Sequence, residues 1–222
     1  MPRLLALILP VIVATLLATD AAAQACVGLP SFAGNPLHLN VAGEFPEGAT
    51  GYAVGVGAGM EGGLFGNVGG GQVSYDGFEE KATLGFAELG FQLPFGRVQA
   101  CPILGAFVAN GPNDPVAGLV VKSWGAAAGA AVGMPVAAGP LNLIPNAAFR
   151  FEYVSQDVEE LDFFFETSTY KSTVLDLGLA LLFRDRISVQ PLIHIPVTSD
   201  DEETEEKPSF GVFASVSFGL PR

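Results

Sequence analysis

From about residue 36 onward, large apolar residues recur at every second position, and the positions between them hold small or polar side chains. In 141–155, Leu141, Leu143, Pro145, Ala147, Phe149, Phe151 and Tyr153 share one face, with Asn142, Asn146, Arg150 and Glu152 on the other. A period of two describes a strand with one greasy and one polar side. Segment 187–197 repeats it, with Ile187, Val189, Pro191, Ile193, Ile195 and Val197 against Ser188, Gln190 and His194. Segment 209–220 sets Phe210, Val212, Ala214, Val216, Phe218 and Leu220 against Ser209, Gly211, Ser215, Ser217 and Gly219. The same reading along the chain predicts ten strands, near 36–45, 51–60, 63–75, 82–93, 97–109, 117–134, 141–155, 167–184, 187–197 and 208–220. Short links at Glu61-Gly62, Pro94-Phe95-Gly96, Ala137 to Pro140 and Asp185-Arg186 alternate with longer ones at 46–50, 76–81, 110–116, 156–166 and 198–207. The predicted fold is therefore an all-β, antiparallel, up-and-down transmembrane β-barrel of about ten strands, with eight as the smaller closure.

A soluble sandwich or barrel also alternates, so the choice rests on the polar face. Opposite the large apolar residues stand mostly Gly, Ala, Ser, Asn and isolated charges of both signs. That face suits a lumen and is too poor in Lys and Glu for a soluble exterior. Composition agrees. Half of the 222 residues are hydrophobic and 15% are charged, which excludes a disordered chain, and 28 are glycine. Past the first two dozen positions no apolar run is long enough for a membrane helix. Only a closed sheet satisfies all its backbone groups in lipid without helices. Ten basic against 23 acidic residues give a net charge of −13, the wrong sign for nucleic-acid binding.

The N-terminus reads as an address. Arg3, the apolar stretch Leu4 to Leu17 and the small residues Ala23-Gln24-Ala25 match a secretory signal peptide cleaved after Ala25. This divides the chain into a signal peptide (1–25), a periplasmic or lumenal segment (26–35) and the barrel (36–222). The new N-terminus would be Cys26. Lipidation of that residue is one reading, and a disulfide to Cys101, the second cysteine, is the other. Cys101 falls near the end of its strand from which the 26–35 segment starts, so a disulfide would pin that segment inside or beneath the barrel.

The signal segment, the ten alternating segments, the tight turns such as Pro94-Phe95-Gly96 and the last strand, Ser209 to Phe218, together resemble the small outer-membrane β-barrel proteins of Gram-negative bacteria, the OmpA-like and OmpW-like barrels. The resemblance covers nearly the whole mature chain as a pattern rather than as a motif. It implies an outer-membrane location, a surround of outer-membrane lipid and lipopolysaccharide, and delivery by the barrel-assembly machinery.

Strand parity assigns His38, Glu44, Glu88, Gln92, Arg97, Gln99, Asn142, Asn146, Arg150, Glu152, Asp176, Arg184, Gln190 and His194 to the lumen. Charges in a narrow interior have to pair, because single ones would be poorly solvated. Glu44, Glu88, Arg97, Arg150, Glu152, Asp176, Arg184 and His194 are thus expected to form a polar network. That interior is either structural and closed or a narrow conduit for ions or small solutes; eight to ten strands leave little bore, which favours closure. Catalysis is not expected. The two histidines lie in opposite halves of the barrel, and His194 has only Ser209 and the acids from Asp200 onward as rim neighbours. No G-x-S-x-G or H-E-x-x-H motif occurs. No cofactor is implied, and Gly69-Gly70-Gly71 lacks the Lys and helix of a phosphate loop; those glycines are expected to let the strands bend.

Acidic residues cluster in two segments read as outward loops. Asp157, Glu159, Glu160, Asp162 and Glu166 fall in one, and Asp200, Asp201, Glu202, Glu203, Glu205 and Glu206 in the other. Such runs are ordinarily solvated faces. Clustered carboxylates also suit divalent cations, with Asp157, Glu159, Glu160, Asp162 and Asp200 to Glu203 as the candidate ligands, although the D-x-D-x-D-G order of a calcium loop is absent. Phe163-Phe164-Phe165 interrupts the first run as a candidate interface anchor. Lys81, Lys122, Lys171 and Lys207 fall at outer strand ends, within reach of lipid phosphates.

Overall fold

The computed structural model describes Cys26 and residues 37–60, 63–112, 119–139, 141–160, 164–184, 186–199 and 207–218. Twelve strands follow one another: β1 (Leu37–Phe45), β2 (Ala49–Gly59), β3 (Leu64–Tyr75), β4 (Ala82–Phe91), β5 (Leu93–Phe95), β6 (Val98–Asn110), β7 (Leu119–Gly133), β8 (Val136–Ala138), β9 (Leu141–Glu160), β10 (Phe164–Phe183), β11 (Ile187–Ser199) and β12 (Ser209–Phe218). Ten of them build a closed antiparallel barrel in which each pairs with its successor and β12 returns to β1, from Leu37↔Phe218 to Phe45↔Phe210. Around the ring itself, closure leaves no strand unpaired on either side. The three-residue strands β5 and β8 only extend the hairpins, pairing with β6 and β9. The ten strands expected from the two-residue period are these ten, and the eight-strand alternative is excluded. The signal peptide and residues 27–36 lie outside the described residues.

Strand parity sorts the side chains as the alternation requires. Outside lie residues such as Leu39, Val54, Leu104, Phe149 and Phe218, with Leu104 62% exposed. Inside lie polar ones such as His38, Asn40, Gln99, Ser188 and Ser215, with Ser188 fully buried. A soluble barrel has the reverse arrangement. An apolar girdle around a closed sheet is the surface that lipid solvates without cost and water does not.

One rim carries the links 60–63, 92–97, 134–140 and 184–186, and is called the turn rim here; the other carries the links between β1 and β2, β3 and β4, β6 and β7, β9 and β10, and β11 and β12, and is called the loop rim. Gly96, at φ +66°, and Gly139, at φ +70°, take left-handed conformations in two of the turns, where a side chain would be strained although the space is open.

The long loop expected at 156–166 is corrected. β9 and β10 run on through it, paired from Ser155↔Thr169 up to Glu160↔Phe164, and only 161–163 separate them. The reason is local: Val154, Val158, Thr167, Thr169 and Tyr170 favour strand, and β7 supplies a partner on the other side, from Val121↔Val158 to Leu119↔Glu160. β10 therefore extends eight residues, about 25 Å, beyond Ser172, its last partner to β11 at Ser199. The link at 46–50 also shrinks, to 46–48.

Candidate functional site

The half of the lumen nearest the turn rim is filled. Phe65 from β3, Cys101 and Ile103 from β6 and Ala131 from β7 enclose Cys26, which stands inside the barrel and is joined to Cys101 by a disulfide with a Cα–Cα distance of 6.0 Å. Ile144, Ala180 and Leu182, all fully buried, form a second apolar contact between β9 and β10. Small residues make room for this packing. A Cβ on Gly90 would lie 2.3 Å from the Phe65 ring, so the strand beside Phe65 has to be glycine at that level. Several polar side chains in this half are bonded to one another. Ser217 Oγ lies 2.6 Å from His38 Nδ1, Gln190 donates to Asn146 at 2.9 Å, and Asn40 donates to Asn67 at 3.0 Å.

Toward the loop rim the interior becomes charged and open. β10 and β11 place Asp176 directly opposite His194, and Asp176 Oδ1 contacts His194 Nδ1. From β9, Arg150 Nη2 reaches Asp176 Oδ2 at 2.8 Å and Nη1 reaches Glu152 at 3.5 Å. From β1, Glu44 Oε1 lies 3.4 Å from His194 Nε2. The residue across from Glu44 on β12 is Gly211, which has no side chain to come between them. The group thus runs from β9 through β10 and β11 to β1, with Arg150 and His194 each held between two carboxylates.

Two cavities meet at this group. One, of about 640 Å³, opens toward the loop rim past Glu47, Lys207 and Ser209; the other, of about 360 Å³, reaches inward along Leu84, Phe86, Glu88, Phe107 and Phe213. Both touch Glu44, Arg150 and Glu152. The arrangement forms a vestibule that enters from the loop rim and ends on the packed half.

Of the eight residues expected in the network, the structure gathers Glu44, Arg150, Glu152, Asp176 and His194. Glu88 lines the inner cavity and, among the described residues, joins no ion pair. Arg97 stands in the turn after β5, at the opposite end from the charged group. Arg184 is not lumenal: β10 ends at Phe183, and Arg184 is exposed in the following turn at φ +47°. Parity ran one residue too far there, because a turn ends the alternation that parity counts.

Asp157 and Glu159 stand on β9 instead of in a loop, Asp157 accepting from Thr167 Oγ1 at 2.7 Å and Glu159 pairing with Lys122 at 3.1 Å. Glu160 is the last residue of β9. Asp162, Asp200, Asp201, Glu202 and Glu203 lie outside the described residues. Among the described residues, no group of three or more His, Cys, Asp or Glu is arranged to hold a metal ion.

Sequence reasoning missed the aromatic residues inside. Phe65, Phe86, Phe107 and Phe213 all occupy lumenal positions, and the first three are each matched by a glycine on the neighbouring strand. A Cβ on Gly69 would lie 2.5 Å from Phe86 Cζ, and one on Gly125 would lie 2.3 Å from the Phe107 ring. The signal was present: Phe86 has the parity of Glu88, and Phe213 that of Ser215. Of the glycines read as bending points, Gly69 makes room for the Phe86 ring of the neighbouring strand.

No protein-family model and no curated protein sequence matches the chain. Among solved structures, the translocator domain of autotransporter NalP from Neisseria meningitidis is 12% identical, with a TM-score of 0.49 over 84% of this chain and 88% of that one. The KdgM porin is 7% identical, with a TM-score of 0.39 over 82% of this chain and 99% of its own. The KdgM porin in complex with disordered oligogalacturonate is 8% identical, with a TM-score of 0.36 over the same shares. The architecture rests on the chain's own strand pairing and side-chain sorting, not on these likenesses.

Proposed function

We propose that the chain is an integral outer-membrane β-barrel with a structural or surface-interaction role, its lumen closed on the turn-rim side and open on the loop-rim side as a blind vestibule. The observation that carries this reading is the contrast along the lumen: packed apolar side chains and a disulfide at one end, cavities of about 640 and 360 Å³ at the other. The apolar girdle supports the bilayer setting, and the resemblance to small outer-membrane barrels supports the location, with the turn rim toward the periplasm. Lipopolysaccharide is the proposed lipid partner of the outer-rim lysines, and the barrel-assembly machinery the proposed route of insertion.

The reading gives no catalytic task to His194. Both of its ring nitrogens face carboxylates, so as arranged it serves as a bridging cation rather than as a base with a free lone pair. Reconstitution into planar bilayers tests the proposal. The expected result is no steady current, and a stable ohmic conductance would favour the narrow channel instead.

A further inference from the structure

We propose that the inner cavity binds an amphipathic organic cation, a protonated amine or quaternary ammonium carrying an apolar body, with Glu88 as the charge partner. The inference rests on the blind-vestibule reading and names the class of ligand that the vestibule takes.

Charge is the first argument. Around the two cavities stand five carboxylates, Glu44, Glu47, Glu88, Glu152 and Asp176, against Arg150, His194 and Lys207, the last paired with Glu47 at 2.7 Å. Arg150 is held by Asp176 and Glu152, and His194 by Asp176 and Glu44, so the charge of each cation is compensated from within the lining. Even with His194 protonated, the lining keeps an excess of two negative charges. In a concave site with low-dielectric walls such an excess draws cations inward.

Shape and chemistry are the second. The cavity of about 360 Å³ is of small-molecule size, which spans roughly 300–1,000 Å³. Phe86, Phe107 and Phe213 line it with Glu88 among them. Aromatic faces beside a carboxylate hold an alkylated or aromatic ammonium by dispersion and cation–π attraction while the carboxylate takes the charge. Glu44 and Glu152 share this lining with Glu88, but Arg150 stands among them, and among the described residues no group of three or more His, Cys, Asp or Glu is arranged to hold a metal ion; the carboxylate excess would repel an anion. The glycines at 69 and 125 are part of the construction, since any side chain there would displace Phe86 and Phe107.

Calorimetric titration of the full chain in detergent micelles tests this with three probes of like apolar body: 4-phenylbutylammonium, 4-phenylbutanol and 4-phenylbutyrate. Identical titrations into protein-free micelles correct for partition into the detergent. The expected result is saturable one-to-one binding of the amine alone, weakened about tenfold or more in Glu88→Gln. Should that variant not fold, judged by heat-modifiable gel migration, Phe107→Leu keeps the charge and removes one aromatic face, and is expected to weaken amine binding several-fold. Equal amine binding by parent and Glu88→Gln, or equal affinity for the alcohol or the acid, overturns the proposal. Bilayer conductance of the same preparation separates the two readings. Absent current with absent amine binding overturns the cation site and leaves the closed lumen standing; a steady current contradicts the closed lumen, and the isotherm still decides the cation site.

Discussion

The two halves of the lumen share the same ten strands and the same apolar exterior, yet one is solid and the other open. In the turn-rim half the inward positions set bulky against small residues at matching levels, Phe65 against Gly90 and Ile103 against Gly129, and a covalent tie holds Cys26 among them. In the loop-rim half the inward side chains are long and charged, and they bridge to one another around water-accessible space instead of filling it. The lesson is that barrel closure and lumen closure are separate properties. Hydrogen bonding between strands fixes the first, and only the residues of inward parity fix the second.

The largest effect is expected from unfastening the solid half. Replacing Cys26 and Cys101 together by Ala removes a cross-link spanning a sequence separation of 75, for which loop entropy alone implies a loss of about 4 kcal/mol. The temperature at which heat-modifiable gel migration is lost should fall, and transient current steps should appear in bilayers where the parent gives none. A disulfide-free protein as heat-resistant and silent as the parent would show that packing closes this half without the tie.

A smaller loss, about 2 kcal/mol, is expected from Arg150→Leu, which leaves Asp176 and Glu152 facing each other without their shared cation. Part of the burial cost is spared because these side chains border the cavity. Adding Asp176→Asn should recover some of the loss, and a thermal-denaturation cycle over the two substitutions checks the coupling. Additive effects would mean that the charged residues are merely neighbours.

Glycine spacing gives the finest comparison. Gly125→Ala places a methyl group against the Phe107 ring and the Tyr153 carbonyl, whereas a Cβ on Gly105 meets nothing closer than 3.8 Å. Gly125→Ala should cost about 1–2 kcal/mol through overpacking and Gly105→Ala far less, read as the difference in their melting temperatures. Equal melting would show that Phe107 moves aside freely.

The period of two was enough to place all ten strands and to put Arg150, Asp176 and His194 on the lumenal side. Which of them meet was not legible, because contact depends on register: Asp176 faces His194 only because β10 and β11 pair with Asp176↔His194, a choice made by turn geometry and the whole ladder. The acidic run at 156–166 read as a loop because charge dominates its composition, although Val154, Val158 and Thr167 kept the alternation going. The lumenal phenyls were hidden for the opposite reason. A single Phe213 between Gly211 and Ser215 disturbs the polar face only slightly, and its place becomes clear once neighbouring strands and their glycines are aligned.

The most direct test labels the two halves from the aqueous phase. The native cysteines are paired with each other, so a new thiol reports its own surroundings. Ser209→Cys lies on the wall of the outer cavity, and Ser188→Cys replaces a fully buried lumenal residue of the solid half. In proteoliposomes carrying a membrane-impermeant maleimide on both sides, Ser209→Cys should be modified quickly and Ser188→Cys should stay protected. Modification of both at comparable rates would contradict a lumen that is open at one end and closed at the other.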